Sequence, residues 1–231
     1  MNYDLKDLLG HPSLAFSHRI RPPQSGQVEG SPCLLLLHGV RSNEIGLIDL
    51  AAQQDPRLTV ILVRAPIQFG PMQFGFFQVR FTETGPVINA EQAEQSRQLL
   101  ISFIEQLPSL YGIDAKRVWI AGFSQGGILS ASVGLTCPGK VAGFGVLCGR
   151  ILPEIEPITG SADQLKHLGA FIAHGAHDSK LTVEFARSAK RLLTAKGMRF
   201  EYQEYAADHE LTAEMQWDFR DWLALQIETA R

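Results

Sequence analysis

The stretch that decides the fold is Val118-Trp119-Ile120-Ala121-Gly122-Phe123-Ser124-Gln125-Gly126. Its first four residues are apolar, as in a buried strand, and a helix-like pattern follows over residues 127–133. A chain that reverses sharply from strand to helix needs small residues two before and two after the serine, because larger side chains would collide there. Gly122 and Gly126 meet that need, so the pattern predicts a strand, a tight turn that exposes Ser124, and a helix.

Short apolar runs alternate with helical patterns along the rest of the chain, and there is no internal repeat. This alternation predicts an α/β fold in which helices cover both faces of a mostly parallel sheet of about seven strands. The strands are expected at residues 14–20, 33–37, 59–63, 117–123, 141–147, 170–174 and 199–205. Helices are expected at residues 90–107, 182–196 and 211–227.

Composition limits the classes of protein to consider. With 231 residues, 45% of them hydrophobic, and no linker-like stretch, the chain predicts a single domain over residues 1–231. The net charge is −3 and the basic residues are scattered, so we expect no nucleic-acid partner. No apolar run is long enough to span a bilayer, and the start lacks a leader pattern, so we expect no integral membrane association.

The three cysteines point to a compartment. Cys33, Cys137 and Cys148 are an odd number and lie in apolar surroundings, which favours buried reduced thiols over a disulfide framework. The expected location is therefore cytoplasmic.

Ser124 needs partners if it is to react. A serine hydroxyl is a weak nucleophile at neutral pH unless an imidazole takes its proton and a carboxylate orients that imidazole. In an open α/β sheet such groups gather beyond the carboxyl ends of the strands. His209 lies between the last predicted strand and the last helix, so it is the predicted general base. His38 also follows a strand, but we interpret it as fixing a loop that donates a backbone N–H. His11, His18 and His167 lie in segments that are typical of a surface.

The predicted carboxylate is Asp178, which comes directly after a buried strand and before a helix. The chain order is then serine, acid, histidine. Asp208 is the alternative, but a residue adjacent to the histidine rarely folds back to bind the same ring. His174, His177 and Asp178 also resemble part of a zinc site, yet no helix brings both rings onto one face. We therefore expect no metal and no cofactor.

A tetrahedral intermediate needs hydrogen-bond donors aimed at its oxyanion. The turn supplies one free N–H from the residue after the nucleophile, which is Gln125. The second is expected from Val40, which follows His38 and Gly39 at the end of another strand. Val40 and Gln125 are thus the predicted oxyanion-hole residues.

Several segments together resemble the phospholipase/carboxylesterase family of α/β-hydrolases, which includes acyl-protein thioesterases and small bacterial carboxylesterases. The matching segments are Leu37-His38-Gly39, Arg64-Ala65-Pro66, Ala121 to Gly127, His174-Gly175 with Asp178, and Asp208-His209-Glu210. The resemblance covers nearly the whole chain and implies the α/β-hydrolase fold, with Ser124, Asp178 and His209 as catalytic residues. Arg41 and Asp208 depart from it, since the family usually carries glycine at both positions.

This resemblance implies a serine hydrolase that cleaves a small-molecule carboxylic ester through an acyl-serine intermediate. No long insertion separates the strands, so no large cap is expected, and short to medium acyl groups are favoured. A phenylalanine-rich segment and a nearby arginine are predicted to bind substrate, through Arg41, Phe74, Phe76 and Phe77. The alternative for this segment is a cluster that only packs a long loop.

Other functions stay open at this point. The same machinery would serve an acyl-thioesterase, a lysophospholipase or, with more substrate-positioning structure, an amidase. A catalytically silent binding protein on the same fold is a further alternative. The resemblance implies a monomer or a homodimer.

Overall fold

The computed structural model describes residues 5–10, 14–83 and 85–229. Seven strands form one sheet in the order β1-β3-β2-β8-β9-β10-β11, and four more form two separate hairpins. The strands of the described residues are β1 His18–Arg21, β2 Cys33–Leu37, β3 Thr59–Val63, β4 Ile67–Gly70, β5 Gln73–Gly75, β6 Val79–Thr82, β7 Gly85–Ile88, β8 Val118–Phe123, β9 Gly143–Leu147, β10 Gly169–Gly175 and β11 Arg199–Tyr205.

Every neighbouring pair in the large sheet is parallel except β1 with β3, which is antiparallel. The prediction of an α/β fold with a mostly parallel sheet of about seven strands is therefore confirmed. Strands β2, β3, β9 and β10 are buried along their whole length. They are buried because helices cover both faces, which explains why their sequences are continuous apolar runs.

The helices of the described residues are α1 Ile48–Ala52, α2 Ala90–Tyr111, α3 Gln125–Thr136, α4 Ala162–Leu165, α5 Glu184–Ala195 and α6 Ala213–Thr229. Alternate residues of β2 divide the core in two, since successive side chains of a strand point to opposite faces. Leu35 and Leu37 join the cluster under α2, α3 and α5. Leu34 and Leu36 join the cluster under α1 and α6.

Some boundaries differ from the predicted ones. The first strand begins only at His18, and α2 continues through Pro108 for a further turn, which Gly112 closes by donating its N–H to the Pro108 carbonyl. Helix α6 begins later than predicted because the Thr212 hydroxyl accepts the N–H of Met215 and caps the first turn.

The assignment of His18 to the surface is wrong. Its side chain is fully buried, and Nε2 lies 2.7 Å from the Tyr111 hydroxyl. A single histidine between polar residues gave no sign of this inward orientation. His167 is exposed, as expected, while His11 lies outside the described residues.

The phenylalanine-rich segment forms two hairpins that the sequence did not reveal. Strands β4 and β5 pair in one hairpin, and β6 and β7 pair in the other. They occupy the connection between β3 and α2. In the part of the chain that is described, no helix combines the length and the apolar character needed to cross a bilayer.

Candidate active site

Ser124 lies at the sharp turn between β8 and α3. Its backbone has φ 54° and ψ −112°, a conformation that a non-glycine residue adopts only when the surroundings enforce it. A Cβ at Gly122 would lie 2.5 Å from the Gly126 carbonyl carbon, and a Cβ at Gly126 would overlap the Leu37 carbonyl oxygen. The two glycines thus let β8, α3 and β2 approach closely enough to fix the turn.

Three residues that are distant in sequence meet at this turn. The Ser124 hydroxyl donates to His209 Nε2 at 2.8 Å, and His209 Nδ1 donates to Asp178 Oδ2 at 2.7 Å. The carboxylate requires the proton on Nδ1, so Nε2 is left as an acceptor for the serine proton. Ser124 is 8% exposed, and the His209 ring packs 5.0 Å from the ring of Phe123. The structure therefore brings together the three residues that the sequence predicted to act as a unit.

Asp178 is buried but well supplied with donors. Its Oδ1 accepts the N–H groups of Lys180 and Leu181 at 2.9 and 2.7 Å, and His174 Nε2 lies 3.2 Å from Oδ2. Burial alone would raise the pKa of Asp178, but hydrogen bonds from His174, His209 and Leu181 hold that pKa far below its usual range. The carboxylate is therefore ionised at neutral pH.

The neighbouring histidines play separate structural parts. His174 is fully buried, and its Nε2 also lies 2.7 Å from the Leu181 carbonyl oxygen, so this nitrogen donates to Leu181 and Asp178. His177 is exposed. Within the described residues there is no group of three or more His, Cys, Asp or Glu side chains that could hold a metal ion.

Asp208 connects the loops that carry Asp178 and His209. Its carboxylate accepts the N–H and the hydroxyl of Ser179 at 2.7 and 3.1 Å, and it also accepts the N–H of His209. The Ser179 N–H is the main reason that the pKa of Asp208 is lowered. The His209 ring meanwhile binds Asp178, so Asp178 orients the ring and Asp208 binds the backbone of the same residue.

His38 stabilises the loop between β2 and α1. The buried ring donates from Nδ1 to the Gly39 carbonyl at 2.7 Å, and Nε2 accepts the N–H of Ala65 at 3.1 Å. Burial lowers the pKa of His38 to about 4, so the ring is neutral at pH 7. Among the described residues the N–H of Val40 has no hydrogen-bond partner, and the N–H of Gln125 is free because it begins α3.

The side chain of Gln125 has a function that the sequence did not indicate. Its Oε1 accepts the N–H of Phe76 at 2.6 Å, and its Nε2 donates to the Phe77 carbonyl at 2.7 Å. One residue therefore offers its backbone N–H at the turn and fixes the hairpin segment with its amide. A glutamine after the serine is a visible signal, but its partner segment is 48 residues away.

A narrow, mostly apolar pocket opens at Ser124. Its walls include Val79, Phe81, Pro86, Ile88, Ile128 and Leu181. Arg150, which follows β9, also lines it, although the sequence analysis did not select this residue. Its position just past the carboxyl end of a parallel strand is a signal that could have found it.

The predicted substrate-binding residues occupy different places. Phe77 lines the pocket at Ser124, whereas Phe76 is fully buried behind it, with its ring 5.5 Å from that of His38. Phe74 lies under the guanidinium of Arg64, 4.7 Å from the ring centre. Arg41 lines an adjacent surface groove and lies 5.7 Å from the ring of Phe69.

The order of the sheet, the serine after β8 and the histidine after β11 define an α/β-hydrolase fold. A carboxylesterase from Mesorhizobium loti has a similar structure, with a TM-score of 0.81 and 24% identity, over 96% of this chain and 99% of that one. The Bacillus cereus carboxylesterase gives a TM-score of 0.76 and 20% identity, over 92% and 95%. The predicted fold class is confirmed.

The model of the phospholipase/carboxylesterase family matches residues 23–227, and the chain belongs to that family. Acyl-protein thioesterase 1 of Mycosarcoma maydis is 28% identical over 184 residues, which cover 71% of this chain and 76% of that protein. Acyl-protein thioesterase 1 of Emericella nidulans is 26% identical over 203 residues, 76% of this chain and 83% of that protein. The predictions of the family and of a hydrolase enzyme are confirmed.

Proposed function

We propose that this chain hydrolyses small-molecule carboxylic esters with short to medium acyl groups, and that Ser124 is the nucleophile. The observation that carries the proposal is the continuous hydrogen-bonded series from Ser124 through His209 to Asp178, at 2.8 and 2.7 Å. Its geometry is that of a nucleophile with a base and an orienting carboxylate. It needs no metal or cofactor.

In the first half-reaction His209 Nε2 removes the proton of the Ser124 hydroxyl while Oγ forms a bond to the ester carbonyl carbon. The carbonyl oxygen becomes an oxyanion, which the N–H groups of Val40 and Gln125 stabilise. When the intermediate collapses, the bond to the alkoxy oxygen breaks and His209 transfers its proton to the departing alcohol. The acyl group is then held on Ser124.

In the second half-reaction His209 removes a proton from water, which attacks the acyl carbon. The acyl–Oγ bond breaks, Oγ regains a proton from His209, and the carboxylic acid leaves. Asp178 stays ionised throughout and stabilises the imidazolium that forms twice in each cycle. Its low pKa, which burial opposes and three hydrogen bonds favour, supports this role.

The acyl group is proposed to occupy the pocket at Ser124. The leaving group must lie near His209 Nε2, which protonates it. Because His209 is not among the residues that line this pocket, the leaving group is proposed to lie outside it. Phe77 is proposed as a wall of the pocket and Phe76 as its buried support. Arg41, at the adjacent groove, is proposed to contact the leaving group. The narrowness of this pocket favours short acyl chains.

Thioester hydrolysis is the second candidate function. The relatives that support it are the two proteins named acyl-protein thioesterase 1. The same residues would attack a thioester carbonyl, and a thiolate needs less help from an acid to leave. Matched oxygen and thiol esters of butyrate, compared by kcat/KM, decide between the two bonds.

The test of the nucleophile is intact-mass analysis after treatment with a fluorophosphonate. We expect one adduct on the wild type, no adduct on Ser124→Ala, and an unchanged adduct on Ser188→Ala, whose serine is exposed on α5. A series of 4-nitrophenyl esters then measures the preferred acyl length. Absence of an adduct on folded wild-type protein, or an adduct that persists in Ser124→Ala, would contradict the mechanism.

A further inference from the structure

Arg150 is the only charged residue among the described residues that line the pocket at Ser124. The other walls are apolar, apart from Ser124 and Gln125. A pocket that served only a hydrocarbon chain would gain nothing from a guanidinium, because removing this charge from water is costly. The composition of the pocket therefore needs a further explanation.

Arg150 also lacks a hydrogen-bond or ion-pair partner within the described part of the chain. Its Nε is buried without a hydrogen bond, and the contact of its guanidinium is with the Phe185 ring, 4.9 Å from the ring centre. Burial lowers the pKa of Arg150, and only Glu154 opposes this effect, through its charge. An arginine nevertheless remains protonated at neutral pH. The pocket therefore holds a half-buried positive charge with unused donors.

Two other half-buried or buried arginines among the described residues are paired with carboxylates. Arg64 makes two hydrogen bonds to Glu44, at 2.6 and 2.7 Å, and Arg97 binds Glu94 through two nitrogens, at 2.7 and 2.5 Å. In both cases a planar carboxylate satisfies the planar guanidinium. Arg150 has the same binding capacity, but the carboxylate has to come from outside the described residues.

We propose that Arg150 binds a carboxylate at the far end of the acyl group, and that the preferred substrates are half-esters of short dicarboxylic acids. This inference rests on the proposed function, because it uses the acyl pocket of the same site. The apolar walls accept the methylene chain, and Arg150 accepts the terminal charge with the geometry that suits a carboxylate. The guanidinium thus selects the substrate and does not take part in bond breaking.

The test compares monoethyl glutarate with ethyl valerate, which have acyl chains of equal length and differ in the terminal carboxylate. We expect wild-type kcat/KM to be about 10- to 100-fold higher for the half-ester, the ratio typical of a hydrogen bond to a charged group. In Arg150→Met this preference disappears, because kcat/KM for the half-ester falls to about that for ethyl valerate. Arg150→Lys keeps the charge without the planar fork and retains part of the preference.

Arg191→Gln is the matched control, because Arg191 is exposed on α5 and lines neither the pocket at Ser124 nor the adjacent groove. It should retain the full preference for the half-ester. Equal kcat/KM for the two esters in the wild type would overturn the inference while the proposed function stands. A preference for a carboxylate carried by the alcohol instead of the acyl group would also overturn it.

A binding measurement separates this inference from a failure of the proposed function. Calorimetric titration of glutarate into Ser124→Ala requires no turnover. We expect saturable binding that valerate does not reproduce and that is at least tenfold weaker in the double variant Ser124→Ala/Arg150→Met. Binding that does not depend on Arg150 would overturn the inference. Failure of the proposed function would instead appear as absent hydrolysis of ethyl valerate and absent fluorophosphonate labelling.

Discussion

The turn at Ser124 and the two hairpins that face it are built in different ways. The turn is part of the large sheet, and close backbone packing of Gly126 against Leu37 determines its shape. The hairpins are separate two-stranded sheets, and polar contacts such as those of the Gln125 amide join them to the body. The proposed chemistry therefore depends on the sheet, and the proposed selection of substrate depends largely on the hairpins.

The largest expected effect concerns the sheet-derived residues. Asp178→Asn should lower kcat by about 10⁴-fold, because the amide NH₂ would face His209 Nδ1 and favour the wrong tautomer. Asp208→Asn is the matched control, since this exposed side chain can still accept the Ser179 N–H, and we expect a change within about threefold. Steady-state ester hydrolysis measures both. Equal losses in the two variants would contradict the assignment of the acid.

The next effect concerns Gln125, whose side chain connects the hairpin segment to the turn at Ser124. Gln125→Met keeps the backbone N–H but leaves the buried N–H of Phe76 and carbonyl of Phe77 unpaired, at a cost of about 3 kcal/mol. We expect hydrogen exchange at the Phe76 amide to accelerate about 100-fold as the segment opens. Gln92→Met is the control, since Gln92 accepts the Gln78 N–H in an exposed bond. Unchanged exchange at Phe76 would mean that other contacts hold the hairpins.

The smallest effect concerns His38, which lies under the Val40 loop and next to Phe76. Burial lowers its pKa to about 4, below the value of about 6.5 expected when unfolded. Between these two values the unfolded state binds the extra proton, so stability falls as pH falls. From pH 8 to pH 5 this linkage removes about 2 kcal/mol of unfolding free energy.

Urea unfolding at pH 8 and pH 5 measures this loss. His38→Gln should lose about 2 kcal/mol less than the wild type over the same interval, because it has no such group to titrate. His167→Gln, which changes an exposed ring, should behave as the wild type. If His38→Gln and the wild type lose equal stability, His38 does not provide the pH dependence.

The difference between the two regions also decides what the sequence could predict. The bounds of β2, β3 and β11 were predicted to the residue. Strands β2 and β3 are short apolar runs, and β11 is a short run in which aromatic and polar residues alternate. The meeting of Ser124, Asp178 and His209 was predicted for a related reason, since the carboxyl ends of parallel strands share one edge.

The hairpins were not predicted because their pairing depends on contacts distant in sequence. Gln125 binds a segment 48 residues earlier, and no local pattern announces that contact. Arg150 was not predicted for a different reason, because a lone arginine after a strand is usually solvated. His18 was assigned to the surface because its burial depends on Tyr111, 93 residues further along.

The two hydrogen bonds of the Gln125 side chain reach only main-chain atoms of Phe76 and Phe77. These two hydrogen bonds therefore do not depend on which side chains the segment carries. Hairpins of other composition could be grafted between β3 and α2 and keep their position against the nucleophile, provided that Gly75 and the buried Phe76 and Phe77 are retained. A Cβ at Gly75 would lie 3.0 Å from Gln125 Oε1. Exchange of the two hairpins is thus a way to change substrate preference without altering Ser124, His209 or Asp178.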